Sequence, residues 1–141
     1  MGHVVSSLAG LLKAEEGLRL TPYRCTAGRL TIGYGRNLDD KGISSNEAAF
    51  LLADDVQDVM MDCLTIFGCA VWAKLSDVRK AVLCSMRFQL GAGGIRQFVG
   101  TIDAVRGGRF DEAADHMLAS QWAQQTPARV HRAAEMMRSD K

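Results

Sequence analysis

Ser44 and Glu47 stand three residues apart ahead of Ala48, Leu51, Leu52, Val56, Val59 and Met60, and no glycine or proline interrupts the run up to about Ile66. At that interval the serine hydroxyl and the glutamate carboxylate can each satisfy a free backbone amide at a helix start, and the apolar positions recur at the helical period. The pattern predicts a helix over 44–66. At about 1.5 Å per residue such a helix crosses most of a small domain, so it divides the chain into an N-terminal and a C-terminal part.

Upstream, Leu8, Leu11 and Leu12 recur at helical spacing behind Ser7, which reads as an N-cap, and the run closes at Gly17. From Leu18 to Leu38 the texture changes to short segments rich in Tyr, Thr, Ile and Leu, punctuated by Pro22, Gly28, Gly33 and Gly35, which predicts a small antiparallel sheet. Downstream of Gly68, helical segments are separated by Gly91 to Gly94, by Gly107-Gly108 and by Thr126-Pro127, with no strand-like alternation. The fold class is therefore α+β and mainly α. A small N-terminal lobe (1–43), a connecting helix (44–66) and a helical lobe (67–141) are expected to share one domain, with a cleft between the lobes.

With 141 residues and 48% apolar content, the chain can bury roughly two thirds of its unfolded surface without staples. Residues 1–66 carry six Lys/Arg against nine Asp/Glu (net −3), and residues 67–141 carry eleven against seven (net +4). The basic second half suits an anionic partner, a cell wall as well as nucleic acid, and is equally compatible with scattered solvated charges; no basic run with interleaved aromatics supports a nucleic-acid binder. Cys25, Cys63, Cys69 and Cys84 form no CxxC pair, and His3, His116 and His131 lack ligand spacing, so neither a metal nor a cofactor is expected. In the absence of a signal peptide the thiols are expected to be made in a reducing cytoplasm and to stay free, three of them as core filling. The apolar stretch from Val4 to Leu12 is too short to span a bilayer. The opening MGHVVS fits an acylation pattern, but no polybasic run comes after it, so no membrane anchor is assigned.

Cleavage of a glycosidic bond needs an acid for the leaving oxygen and a second group that delivers water or attacks the sugar. Glu16, at a helix end before a hairpin that folds back, with Cys25 and Thr31 on that hairpin, can supply such groups. The segment EEGLRLTPYRCTAGRLTIGYG resembles the catalytic segment of T-even-phage-type lysozymes, glycoside hydrolase family 24. That family has a glutamate before Gly-Leu-Arg, an acidic residue or occasionally cysteine nine positions later, and a threonine before Ile-Gly six positions after that. RFQLG (87–91), GGRFDEAA (107–114) and SQWAQQTPARV (120–130) extend the resemblance over nearly the whole chain.

The resemblance implies a lysozyme-like two-lobe fold and an endolysin that hydrolyses the β-1,4 bond between N-acetylmuramic acid and N-acetylglucosamine in peptidoglycan. It makes Glu16 the general acid and Thr31 the holder of the attacking water. Arg129 matches the arginine that pairs with the glutamate from the helical lobe, and Gln89 and Trp122 match residues that support the site from behind. Asn37, Phe88, Thr101 and His116 fall where family members contact the glycan, Asn37 and His116 with altered residue types. It also implies a monomer made in the host cytoplasm and released to the wall with the help of a separate holin.

Cys25 replaces the aspartate of most relatives. A neutral thiol is a poorer fixed anion, whereas a thiolate is a strong nucleophile. Three roles are open: thiolate base or water-positioning group, which is favoured; covalent nucleophile; or bystander. Two other functions are also open, a lytic transglycosylase that forms an anhydro-sugar without water and a catalytically silent peptidoglycan binder.

Overall fold

The computed structural model describes residues 1–141, which form two compact units, Met1–Phe50 and Leu51–Lys141. The first holds helix α1 (Gly2–Glu16), strands β1 (Arg19–Arg24), β2 (Leu30–Gly33) and β3 (Arg36–Asn37), and the first turns of helix α2 (Ser45–Phe67). The second holds the rest of α2 with α3 (Cys69–Lys74), α4 (Asp77–Arg96), α5 (Val99–Arg106), α6 (Phe110–Leu118), α7 (Gln121–Gln125) and α8 (Pro127–Ser139). The mainly helical plan with one small antiparallel sheet is the predicted one.

Helix α1 starts well before Ser7, which is not its cap. Ser6 and Ser7 instead turn their hydroxyls back onto the carbonyls of Gly2 and His3, at 3.0 and 2.8 Å. A serine can bond either a cap amide or the carbonyl four residues back, and sequence does not distinguish the two. The helix closes at Gly17, where φ is 68° and the amide donates to Lys13 O.

The sheet order is β1-β2-β3, antiparallel throughout. Tyr23 faces Thr31 and Arg24 faces Leu30, but the register shifts between Arg19 and Tyr23. Pro22 lies in that interval and has no amide to give to a ladder, which accounts for the irregularity. Thr31 faces Asn37 and Ile32 faces Arg36 across the second ladder.

Helix α2 starts with the expected reciprocal cap, in which the Ser44 amide donates to Glu47 Oε2 at 2.7 Å and the Glu47 amide to Ser44 Oγ at 3.2 Å. Glu47 also receives both ends of the Arg36 guanidinium, at 2.9 and 2.6 Å, and so joins β3 to the helix start. The expected apolar stripe is only partly a core stripe. Val59, Cys63, Ile66 and Phe67 are buried, whereas Leu51, Leu52, Val56 and Met60 are exposed. Leu52 and Val56 line an open groove with residues of α4 and α8 rather than a packed interior, and buried Val59 forms its floor.

In the second unit, Leu83 and Met86 of α4, Val105 of α5, Met117 of α6, Trp122 of α7 and Val130 and Met137 of α8 form one buried cluster. Each predicted glycine break is used. Gly91, at φ 79°, kinks α4 internally, and Gly107 and Gly108 separate α5 from α6. Arg79 ties α4 to the end of α8 through Met137 O at 2.9 Å and Asp140 at 3.3 Å, with its guanidinium 3.7 Å from the Phe110 ring centre.

The cysteines differ from the expected core filling. Cys63 is buried and Cys84 half-buried against the same cluster, but Cys69 is exposed at the start of α3. No helix is long and apolar enough to cross a membrane.

The Arg36 fork, followed by the Ser44 amide, holds the Glu47 carboxyl down at about 2. A carboxyl depressed in the folded state stabilises above its ordinary range, and that contribution fades as pH falls from there towards 2. Glu47→Gln should therefore melt earlier than the parent at pH 6 and show a shallower fall in Tm between about pH 4.5 and 2. Parallel melting curves over that window would refute the linkage.

Candidate active site

Glu16 is the last residue of α1, and Gly17 turns the chain into β1 directly after it. The Glu16 side chain is exposed and lies over the turn between β2 and β3. A methyl group at Gly35 would stand 2.9 Å from Glu16 Oε2 and 3.2 Å from its Cδ.

Cys25 follows β1 in a tight turn, where its amide donates to Arg29 O at 3.0 Å and the Gly28 amide to Cys25 O at 2.8 Å. Arg24 does not turn towards the thiol as a counter-ion; its guanidinium donates to Gly28 O at 2.9 Å and braces the turn. The thiol titrates below its ordinary range. The Arg29 amide is the largest cause and the Ala27 amide the next, opposed by desolvation, and the Thr31 hydroxyl contributes further. The turn thus acts as a small anion hole for sulfur.

Thr31, on β2, is only 4% exposed. Its single hydroxyl proton has two acceptors in reach, Arg29 O at 2.9 Å and the Cys25 sulfur. Asn37 sits opposite Thr31 in the ladder, but its amide is occupied: Nδ2 donates to Asp40 Oδ2 at 2.8 Å and Oδ1 accepts the Asp40 amide at 3.0 Å. The first unit therefore gathers Thr31 and Asn37 on one small sheet and Cys25 on the turn between β1 and β2, with Glu16 resting on the turn that leads into β3.

In the second unit, the Trp122 indole donates to Gln89 Oε1 at 2.9 Å, Gln89 Nε2 donates to Thr126 Oγ1 at 3.3 Å, and the Thr126 hydroxyl donates to Trp122 O at 3.3 Å. This closed ring of bonds joins α4, α7 and the start of α8 around a buried indole, which also meets Phe98 edge-on. Arg129 donates to Ser85 Oγ at 3.0 Å and lines, with Phe88, Leu52 and Val56, a groove of about 230 Å³. Thr101 is buried, and its hydroxyl has no hydrogen-bond partner. His116 lies against Gly100, where a methyl group would stand 2.8 Å from its Cε1, and 3.6 Å from Glu112.

No three histidine, cysteine, aspartate or glutamate side chains gather in a metal-binding arrangement. Residues 13–136 match the profile of the family described as phage lysozyme. The chain belongs to the phage lysozyme family.

Among relatives, this phage lysozyme family member is similar to "Probable T4-type lysozyme 2" of Dictyostelium discoideum, at 28% identity over an alignment covering 92% of each chain. It is also similar to an endolysin of Acyrthosiphon pisum secondary endosymbiont phage 1, at 31% identity over 93 residues, 63% of this chain and 60% of that one. A third similarity, at 28% identity, is to the pre-baseplate central spike protein Gp5 of Enterobacteria phage T4 and covers 89% of this chain but 26% of Gp5. Family membership supports a glycosidase of the peptidoglycan-hydrolysing class.

Sequence reasoning missed Gly35 under Glu16, Gly100 under His116, Ser85 beside Arg129 and Thr126 in the tryptophan ring of bonds. The glycine of IGYG and the threonine of QQTP were visible as turn signals, but their side-chain neighbours come from other elements. Ser85 carried no signal.

The geometry of this phage lysozyme family site has two measurable consequences. Alkylation of Cys25 against pH should have a midpoint below that of a free thiol, and Thr31→Val should raise it only slightly, because the backbone amides contribute most. An unshifted midpoint in the parent would contradict the anion hole. Thr101→Val removes a buried hydroxyl without a partner and should raise stability to urea by about 1 kcal/mol; a loss would mean that the hydroxyl is satisfied.

Proposed function

We propose that this chain is an endolysin that hydrolyses the β-1,4 bond between N-acetylmuramic acid and N-acetylglucosamine. The supporting observation is the grouping of a hydroxyl and a sulfur favoured as thiolate around one short turn, Thr31 and Cys25, in the same unit as Glu16.

In this reading Glu16, protonated, gives its hydrogen to the departing glycosidic oxygen while water attacks the anomeric carbon. Thr31, with its own proton on Arg29 O, has oxygen lone pairs left to accept from that water. The Cys25 thiolate takes the water's other proton as general base. The leaving sugar gains one hydrogen and the muramic acid one hydroxyl, so the bond exchange balances. Arg129, Gln89 and Trp122 are the proposed supporting residues of the second unit, and Asn37, Phe88, Thr101 and His116 the proposed glycan-contacting ones, although the Thr101 hydroxyl is buried and would have to be uncovered to meet a sugar. Asn37 would have to release Asp40 to use its amide on a sugar. The protein is proposed to act as a monomer, without a cofactor, on the wall after release through a separate holin, as its similarity to a phage endolysin suggests.

Purified sacculi digested by the parent should release muropeptides with reducing muramic acid ends, and Glu16→Gln should lose on the order of 10²-fold or more in rate. Anhydro-sugar ends would mark a transglycosylase, and wall binding without release would mark a silent binder. Cys25→Asp should keep activity and Cys25→Ala should lose about 10²-fold if the sulfur acts as base. Full activity of Cys25→Ala would make the thiol a bystander, and a trapped glycosyl–sulfur adduct would make it the nucleophile.

A further inference from the structure

We propose that Gly35 is a positioning residue for the reaction: the missing side chain at the β2–β3 turn is the seat of the Glu16 carboxylate. The inference rests on Glu16 being the proton donor and adds what holds its side chain in place. Three of the four glycines from Gly28 to Gly42 have positive φ and open space where a methyl group would go: Gly28, Gly33 and Gly42. Gly35, at φ 75°, is the exception, because its methyl position is taken up by Glu16, with Oε2 at 2.9 Å, Cδ at 3.2 Å and Cγ at 3.5 Å. Three successive atoms of one side chain thus lie along the bare face of the glycine.

The turn itself is hard to displace. Thr31 with Asn37 and Ile32 with Arg36 pair on either side of it, and Arg36 is forked onto Glu47. The outer atoms of Glu16, by contrast, can change rotamer at low cost. A methyl group at position 35 would therefore move the carboxylate rather than the turn, and with it the proton that must meet the glycosidic oxygen. A misplacement of about 1 Å can cost on the order of 10²-fold in rate.

The backbone strain of alanine at positive φ is shared by the other turn glycines, so it can be subtracted. Gly33→Ala (φ 69°) and Gly42→Ala (φ 63°) carry the same strain into open space. All three variants should lose similar amounts of Tm. On purified peptidoglycan, Gly35→Ala should lower kcat by on the order of 10²-fold with apparent KM little changed, whereas the two controls keep kcat near the parent value. In protein labelled with 13C at the glutamate carboxyl carbons, the Glu16 resonance should move in Gly35→Ala and stay in place in both controls.

A Gly35→Ala enzyme with parental kcat and an unmoved Glu16 resonance overturns the proposal. So does a loss of kcat that Gly33→Ala and Gly42→Ala match in proportion to their loss of Tm. If Glu16→Gln keeps full activity while the resonance still moves in Gly35→Ala, the seat exists but the proton-donor reading fails, which separates the two claims.

Discussion

The first unit depends on one carboxylate with three amide and guanidinium donors. Glu47 caps the start of α2 through the Ser44 amide and holds both arms of Arg36 from β3. A two-residue strand cannot stabilise itself, since it has too few ladder bonds to offset the entropy of ordering. The fork anchors it from outside, and once β3 is anchored its pairing with β2 sets where Thr31, the turn at Gly35 and Asn37 lie. The ion pair is partly exposed, so its importance lies in geometry more than in strength.

The chemistry of the hairpin stems from backbone direction rather than from a charged neighbour. Arg24, the nearest cation in sequence, braces the turn through Gly28 O, and the groups that favour the thiolate are the Arg29 and Ala27 amides. A turn that points several amides at one atom stabilises a negative charge whatever its chemical identity. An aspartate at position 25 would use the same donors. The replacement of carboxylate by thiol is therefore a smaller change of environment than of acidity, and the short turn can accept either.

Much of the fold was legible in the sequence because its signals are local. The Ser44–Glu47 box, the glycines that end segments and the shift of texture between Leu18 and Leu38 each rest on neighbours within a few residues. The failures share the opposite character. Ser6 and Ser7 could bond forwards or backwards along the chain, and Leu51, Leu52, Val56 and Met60 carry a helical period that says nothing of what lies opposite. Cys69 has the composition of a core residue and the position of a surface one. In the candidate site, the spacing of Glu16, Cys25 and Thr31 was readable, but the occupied state of the Asn37 amide and the orphaned hydroxyl of Thr101 were not.

By itself the sequence determined the element types, most of their boundaries and the family, since periodicity, caps, turn glycines and motif spacing are all properties of contiguous residues. Only the tertiary structure decided what each side chain meets: that the Glu16 carboxylate lies on Gly35, that Trp122 closes a ring of bonds through Gln89 and Thr126, and that Glu47 serves a strand as well as a helix. Such meetings depend on backbone paths brought together over long stretches of chain, and a contact between elements has no period along the sequence from which it could be read.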